Sequence, residues 1–461
     1  MDEVVVYRQR RGIEAVLLLL AIAVAVGGYF LIHLDIDAEL PTEWPAAVVV
    51  LTTLALVAHL VIRWRIPYAD PIILPCVMLL NGLGLAMIHR LDLGGNERMH
   101  SAELQLGWTA VAVAVFCAVI FALREIRTLN RFWMLLFIFG MVLLLLPLVP
   151  GLGVEKNGSQ IWIRLNLGFG AYSFQPAELA KIVLTIAFAA YLAGTREALV
   201  AAGRKIMGVE LPRLRDFAPL LLMWLASLAV LVFQKDLGTS LLFFGLFVVM
   251  LFVSTERLLY PILGAALFAG GAYAGFLLFT HVQTRVLAWL DPFADYDRNY
   301  QIITAQFGMA WGGSIGTGWG LGRPNLTPLA KTDFIAAAFG EELGVAGLSA
   351  IIMVYAIIVA RGIRAALGSN DSFGKLLASG LSFVFAIQVF TIIAGVTRLL
   401  PLTGLTTPFM SQGGSSLVAN WATVALLLIV THHARRPQTA KPRDPVVNLA
   451  SDETIELKAA A

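Results

Sequence analysis

The chain has 461 residues, of which 59% are hydrophobic and only 14% charged, and its formal net charge is +3. Soluble domains are about one quarter charged, so this composition excludes an ordinary soluble protein and indicates a polytopic membrane protein. The small net charge gives no indication of nucleic-acid binding. Both cysteines lie inside apolar runs, which argues against a disulfide framework.

Twelve apolar runs are long enough to be membrane helices, because a span takes about 20 residues. Eleven runs follow the first one, so we predict that the first is an uncleaved helix and not a signal peptide. The predicted fold is an all-α polytopic membrane protein with helices at 14–34, 46–63, 71–89, 106–123, 131–149, 177–194, 217–233, 239–254, 258–280, 334–360, 374–396 and 415–432.

The basic residues are distributed unevenly between the predicted connections. Of the 33 Lys and Arg residues, 22 lie on the side of the two chain ends, 10 on the other side, and Lys181 inside a span. The positive-inside rule therefore predicts that both termini are cytoplasmic. The tail 434–461 is polar and is predicted to be disordered. The connections predicted to face outward are 35–45, 90–105, 150–176, 234–238, 281–333 and 397–414.

The outward segment 281–333 is rich in Asp, Gly, Trp and Tyr, which is typical of a binding or catalytic surface on a rigid scaffold. Within it, Asp291 and Asp295 are four residues apart, and Pro292 favours the first turn of a short helix after an Asp cap. In such a helix both carboxylates would share one face. Their repulsion would raise one pKa, as a general base requires. The alternative is an N-cap followed by a solvated acid.

Seven glycines lie between Gly308 and Gly322, together with Trp311 and Trp319. The segment does not match a nucleotide-binding glycine loop, and no strand precedes it. We predict that these glycines allow a close approach of the backbone to a ligand or to protein at membrane depth. The two tryptophans suit either sugar stacking or the aromatic belt at the membrane interface.

Several polar residues lie in or beside apolar runs and need a physical reason. Glu178 and Lys181 are three residues apart on one helical face and are predicted to pair. Glu341 and Glu342 lie within an apolar run, where ionisable residues are usually functional or paired, and both roles are open. Asp236 belongs to a very short connection, where capping or packing is the simplest role.

The last outward connection ends with Ser411, Gln412, Ser415 and Ser416, just before a predicted helix. Free backbone N–H groups at a helix start attract phosphate, so these residues are candidate ligands of a phosphate group. An ordinary helix cap explains Ser415 or Ser416 equally well.

Five motifs in this chain resemble those of the SEDS family, which comprises RodA, FtsW and SpoVE. They occur in the family order and cover roughly residues 70–433. The resemblance therefore divides the chain into three parts. Residues 1–69 contain two extra helices, residues 70–433 form the family core, and residues 434–461 form the tail. The short loops and extra helices are most similar to the RodA branch in actinobacteria. The motifs are NGSQIWIRL…FQPAELAK (157–181), FQKDLGTS (233–240), WLDPFADYDRNYQI (289–302), KTDFIAAAFGEELG (331–344) and TRLLPLTGLTTPFMSQGGSS (397–416).

The resemblance implies a peptidoglycan polymerase that joins glycan chains from lipid II, a disaccharide-peptide on polyprenyl diphosphate. It implies Asp295 as the catalytic base. Gln160, Lys235 and Gln412 depart from the residues usual in the family. The implied substrate-binding residues are Trp162, Arg164, Lys331, Thr332, Asp333, Arg398, Ser411, Gln412, Ser415 and Ser416. The implied supporting residues are Asp291, Glu178, Lys181, Asp236, Glu341 and Glu342.

The resemblance also implies a bacterial cytoplasmic-membrane location, a role in cell elongation and shape, and a class B penicillin-binding protein as partner, besides lipid II and membrane lipids. The resemblance specifies no cofactor, although a divalent cation such as Mg²⁺ or Mn²⁺ is compatible with diphosphate chemistry. Three alternatives stay open: a lipid II flippase, a division polymerase of the FtsW type, and a non-catalytic scaffold. A flippase would need essential charges along a route through the membrane, whereas here the carboxylates concentrate in one outward segment.

Overall fold

The structure is a computed structural model that describes residues 9–36, 44–94, 100–123, 125–156, 159–166, 171–200, 205–206, 209–210 and 214–437. Most of the predicted tail 434–461 therefore lies outside the described residues. The α-helices are α1 (Arg11–Ile36), α2 (Trp44–Arg65), α3 (Ile73–Leu93), α4 (Ser101–Ala122), α5 (Arg127–Arg131), α6 (Trp133–Leu145), α7 (Pro176–Val200), α8 (Leu214–Phe233), α9 (Leu237–Thr255), α10 (Leu259–Leu278), α11 (Thr280–Leu290), α12 (Tyr296–Gly312), α13 (Ile335–Glu342), α14 (Gly344–Leu367), α15 (Ser372–Val396) and α16 (Gly414–Arg435).

The predicted polytopic helical fold is confirmed. Ten helices in the described part of the chain are long and apolar enough to cross a membrane, and each coincides with a predicted span. Two further predicted spans coincide with the shorter apolar helices Trp133–Leu148 and Ala218–Phe233. The count of twelve crossings therefore stays a prediction.

Helix α16 forms the centre of the bundle. The Trp421 side chain is fully buried, with its ring centroid 5.4 Å from that of Phe116 and 6.4 Å from that of Phe409. Helix α10 lies at the opposite extreme, because only Tyr260 and Gly264 of its residues are buried in the isolated chain and most of the others are exposed. Its apolar composition fits contact with lipid.

The predicted span 334–360 is wrong as a single helix, because the chain breaks at Leu343 between α13 and α14. The glycine-rich segment supplies the backbone partners that this break requires. The last carbonyls of α13 accept hydrogen bonds from the N–H groups of Thr317 and Gly318, at 3.0 and 3.1 Å. The N–H groups of Val345 and Ala346 donate to carbonyls of residues 313 and 314, both at 3.0 Å. Both helix ends are thereby satisfied within the protein.

This close backbone approach explains two of the glycines. Gly316 and Gly344 have φ angles of 94° and 66°, which favour glycine. A Cβ atom at Gly316 would lie 2.2 Å from the carbonyl oxygen of Glu342, and one at Gly344 would lie 2.3 Å from the nitrogen of Gly316. The predicted role of glycine in close packing against protein is confirmed at Gly316, and Gly344, outside the predicted segment, has the same role.

Among the residues that the structure describes, two small antiparallel sheets interrupt the helical fold, where only connections were predicted. One consists of β1 (Gly153–Lys156), β2 (Ser159–Asn166) and β3 (Ala171–Phe174) in that order, and the other pairs β4 (Lys205–Ile206) with β5 (Val209–Glu210). We call the face of the bundle that carries residues 279–334 and 397–413 the loop face.

Candidate functional site

Asp295 lies at the junction between a short 3₁₀ helix, Pro292–Asp295, and α12. Its side chain is exposed and accepts a hydrogen bond from the N–H of Arg298 at 3.2 Å, so it is the N-cap of α12. Asp291 is also exposed and caps the 3₁₀ helix, accepting from the N–H of Phe293 at 3.1 Å. The two carboxylates are thus presented on consecutive caps of the loop face.

The prediction that both carboxylates share one face of an α-helix is wrong. Asp291 and Asp295 have extended backbones, with ψ angles of 92° and 86°, and the turn between them is 3₁₀. A 3₁₀ helix has three residues per turn, so positions four apart do not align. The predicted N-cap at Asp291 is confirmed.

The start of α12 is tied to the turn and to the bundle. The Asn299 amide donates to the carbonyl of Pro292 at 3.0 Å and is buried. Further along α12, Ile302 and Ile303 pack with Phe334 and Val396 in a small core separate from the main one. Asp295 is therefore a solvent-exposed carboxylate on a well-packed support.

Helix α11 docks onto the last connection of the loop face through two residues that sequence analysis missed. The Arg285 guanidinium donates to the carbonyls of Leu402 and Thr403, at 3.0 and 2.9 Å. The Trp289 indole donates to the carbonyl of Arg398 at 3.0 Å. These bonds hold the segment just before Asp291 against residues 398–403. The sequence did contain a signal for this contact, because Arg285 and Trp289 are a charged and an aromatic residue in the amphipathic stretch that forms α11.

Arg285 also interacts electrostatically with two carboxylates from distant elements. Burial raises the pKa of Asp333 above its usual value, and the nearby Arg285 opposes this rise. Burial likewise raises the pKa of Asp236, opposed first by hydrogen bonds from Thr239. Asp236 caps α9, accepting from the Thr239 N–H at 3.0 Å, so the predicted capping role is confirmed.

A buried polar chain extends from α7 to the last connection. Lys181 forms an ion pair with Glu178 at 2.7 Å, which confirms the predicted pairing. The Lys181 ammonium also donates to the side-chain oxygen of Gln388 at 2.9 Å, and the Gln388 amide donates to the carbonyl of Thr406 at 2.8 Å. Gln388, which is fully buried, was missed, although an amide within an apolar run was a signal for such a role.

The serines of the last connection hold the loop face together. The Ser411 hydroxyl donates to the carbonyl of Thr332 at 2.6 Å, and the N–H of Gln412 donates to the carbonyl of Lys331 at 2.8 Å. The Thr406 hydroxyl donates to Ser416 at 2.8 Å. Helix α16 begins at Gly414 with no side-chain cap, so the alternative of a cap at Ser415 or Ser416 is wrong. Both serines lie inside the first turn.

Helix α3 is linked by one ion pair to α13 and by another to the segment 313–334. Arg90 pairs with Glu342 at 3.0 Å and donates to the carbonyls of Gly320 and Gly322, at 3.0 and 2.8 Å. The Lys331 ammonium contacts the Asp92 carboxylate and lies 3.2 Å from the Ser101 hydroxyl. Arg90 and Asp92 were missed because their partners are more than two hundred residues away.

The remaining predicted residues lie in separate elements. Trp162 and Arg164 lie in β2, opposite Val154 and Ser173, and the Arg164 side chain is exposed. Glu341 accepts a hydrogen bond from the Arg323 N–H, and Glu342 accepts one from the Gly320 N–H at 3.0 Å, so both carboxylates bind segment 313–323. Arg398 is half-buried, with a φ angle of 60°.

The arrangement combines an exposed carboxylate on a rigid turn with cationic side chains and helix starts on the same face, which suits general-base chemistry on an anionic substrate. Among the residues that the structure describes, no group of three or more His, Cys, Asp or Glu side chains is arranged to hold a metal ion. The fold and this face define a polytopic membrane protein with its candidate site at one end of the bundle.

Comparison with known proteins assigns the family. The family model for FtsW, RodA and SpoVE, described as cell cycle protein, matches residues 71–436. The chain is 47% identical over 454 residues to the peptidoglycan glycosyltransferase RodA of Mycobacterium tuberculosis, covering 97% of this chain and 96% of that protein. It is 44% identical to RodA of Mycobacterium leprae, again covering 97% of this chain and 96% of that protein. A solved chain from a peptidoglycan synthase complex matches with a TM-score of 0.62 and 26% identity, covering 80% of this chain and 99% of that one. The chain belongs to the FtsW/RodA/SpoVE family.

Proposed function

We propose that the chain is a peptidoglycan glycosyltransferase of the RodA type, which polymerises lipid II-type substrates during cell elongation. The relatives that are 44–47% identical over nearly the whole chain carry this activity in their names. In the structure, the observation that carries the proposal is Asp295, an exposed carboxylate on a turn that Asn299, Arg285 and Trp289 anchor to the loop face.

The proposed reaction is an inverting glycosyl transfer. The sugar 4-hydroxyl of one lipid-linked chain attacks the anomeric carbon of another, and Asp295 accepts the hydroxyl proton. A new carbon–oxygen bond forms as the bond from the anomeric carbon to the diphosphate oxygen breaks, and polyprenyl diphosphate leaves. The leaving group requires positive charge or N–H donors. Arg398, Arg323 and Lys331 are the proposed cationic partners, together with the start of α16.

A divalent cation remains part of the proposal, held by the substrate diphosphate together with protein carboxylates and not by a dedicated protein cage. We infer that the sugar and peptide parts of the substrate contact the half-buried Trp162 and the exposed Arg164 of β2. The proposed partner is a class B penicillin-binding protein. The solved synthase complex that resembles this chain supports the existence of such a partner.

Purified chain mixed with lipid II is expected to produce glycan polymer that is resolved on a gel, and addition of a cognate transpeptidase tests the partner. Absence of polymer with and without the partner, from protein that is folded and monodisperse, would contradict the proposal. Transport of lipid II across proteoliposomes without polymer would favour the flippase instead.

The proposed topology puts the loop face outside the cell and both termini in the cytoplasm. A cysteine at the exposed position Ala294 is expected to react with an impermeant maleimide in intact spheroplasts. A cysteine at the exposed Asn370, in the connection between α14 and α15, is the control and should react only after permeabilisation. Both are placed in a background without Cys76 and Cys117. The reverse pattern would invert the topology.

Helices α1 and α2 are predicted to contribute no catalytic group. In the structure, the Arg11 guanidinium donates to the carbonyls of Pro67 and Ala69, both at 2.7 Å, which ties α1 to the linker before α3. A chain starting at Pro67 is therefore expected to melt at a lower temperature because it exposes packed helix surface. It should still polymerise lipid II measurably. An inactive but folded truncated chain would show that α1 and α2 help to build the active site.

A further inference from the structure

A cavity of about 510 Å³ lies between α1, α2, α3 and α4, the four helices at the N-terminal end of the chain. Its walls are mainly small or aliphatic, and include Ala25, Ala47, Leu51, Leu85 and Leu106. The volume falls within the range of about 300–1,000 Å³ that is typical of sites for small ligands. No residue assigned above to the glycosyl transfer lines it. The cavity is therefore a second candidate site.

The cavity lies toward the loop face, because it is lined by the later parts of α1 and α3 and the early parts of α2 and α4. Its polar lining is confined to few side chains. Tyr29 and His89 approach each other with ring centroids 4.7 Å apart. Glu103, at the start of α4, is exposed and lies 3.0 Å from the exposed imidazole of His100. The site thus combines an apolar interior with one lining acid, Glu103, and the imidazole of His100 contacts that acid from outside the lining.

We propose that this cavity binds an acyl chain of a phosphatidylethanolamine molecule, with the headgroup at Glu103 and His100. Within a bilayer, an alkyl chain restores the dispersion contacts that an empty apolar cavity loses. A carboxylate next to an imidazole complements a zwitterionic headgroup, in which the ammonium faces Glu103 and the phosphate faces His100. A polyprenyl diphosphate would place several negative charges beside Glu103, so electrostatics disfavour the substrate lipid here.

The cavity borders the residues that hold the glycine-rich segment of the loop face. Tyr29 follows Gly28, where a Cβ atom would lie 3.2 Å from the Trp319 ring. His89 precedes Arg90, whose guanidinium holds the carbonyls of Gly320 and Gly322. A lipid chain that fills the cavity therefore supports the helix surfaces against which residues 319–322 pack.

The test uses the full chain in nanodiscs that contain a phosphatidylethanolamine probe with a diazirine on its acyl chain. After irradiation, labelled peptides from α1–α4 are quantified by mass spectrometry. Ala47→Phe, which fills the cavity from α2, is expected to lower labelling about tenfold, the equivalent of ~1.4 kcal/mol in binding. Ala102→Phe fills it from α4 and guards against a folding defect in the first variant. Ala272→Phe, on the exposed surface of α10, is the control and should leave labelling at α1–α4 unchanged.

The preference for the headgroup and the identity of the lipid that supplies the bound alkyl chain are tested separately. Glu103→Gln is expected to remove the preference for the phosphatidylethanolamine probe over a phosphatidylglycerol probe with the same chain. Unchanged labelling in both folded phenylalanine variants would overturn the site. Equal labelling of the wild-type chain by the two probes, or displacement of the probe by a polyprenyl diphosphate, would overturn the assignment to phosphatidylethanolamine. None of these readouts depends on polymerase activity.

Discussion

Replacement of Asp295 by Asn is expected to abolish lipid II polymerisation while the protein still folds and inserts. Asn is as good an N-cap as Asp, so it keeps the hydrogen bond from the Arg298 N–H that starts α12. It cannot accept a proton from the attacking hydroxyl. Loss of a general base costs roughly 10²–10⁴-fold in rate, which takes polymer below detection on a gel. The rate is measured with purified variant protein and lipid II.

Two matched variants separate this chemical role from a general effect of charge. Asp297→Asn removes an exposed acid two residues further along α12 and is expected to retain nearly full activity. Asp291→Asn keeps the cap of the 3₁₀ helix and is expected to lower activity only slightly, because the turn that Asp291 supports is retained. Full activity in a folded Asp295→Asn variant would contradict the role of Asp295 as the general base.

Replacement of Arg90 by Ala is expected to lower the free energy of unfolding by about 3–5 kcal/mol, because it leaves the Glu342 carboxylate buried without its ionic partner. The pair is almost wholly buried, and Arg90 also holds the carbonyls of Gly320 and Gly322. Thermal unfolding of the purified protein in detergent measures the loss. Limited proteolysis should also detect cleavage within residues 313–331, which Arg90 holds to α3.

The matched control is Arg196→Ala, which breaks an ion pair with Glu256 at 3.2 Å near the surface. Exposed pairs contribute about 0–1 kcal/mol, so this variant should melt close to the wild-type temperature. A double variant, Arg90→Met with Glu342→Leu, removes both charges and is expected to recover part of the lost stability. Equal melting temperatures for Arg90→Ala and Arg196→Ala would contradict a structural role for the buried pair.

Local sequence features predicted much of this architecture correctly. Each predicted span overlaps an apolar helix, although 334–360 divides into α13 and α14, because the length and apolar composition of a run decide whether it can cross a membrane. The capping roles of Asp236 and Asp291 also followed from sequence, since a cap depends on residues two or three positions away. The pairing of Glu178 with Lys181 is of the same local kind.

Only the tertiary structure decided which distant groups meet. Lys181 binds Gln388, which is 207 positions away, and Arg285 binds the carbonyl of Leu402, which is 117 positions away. The break at Leu343 forms because backbone groups of residues 313–318 replace the helical hydrogen bonds there, and no local pattern near Leu343 contains those partners. Local chemistry in the sequence specifies helices and caps. The partners of buried polar groups depend on packing between helices, because each buried group must find its hydrogen bonds wherever the fold supplies them.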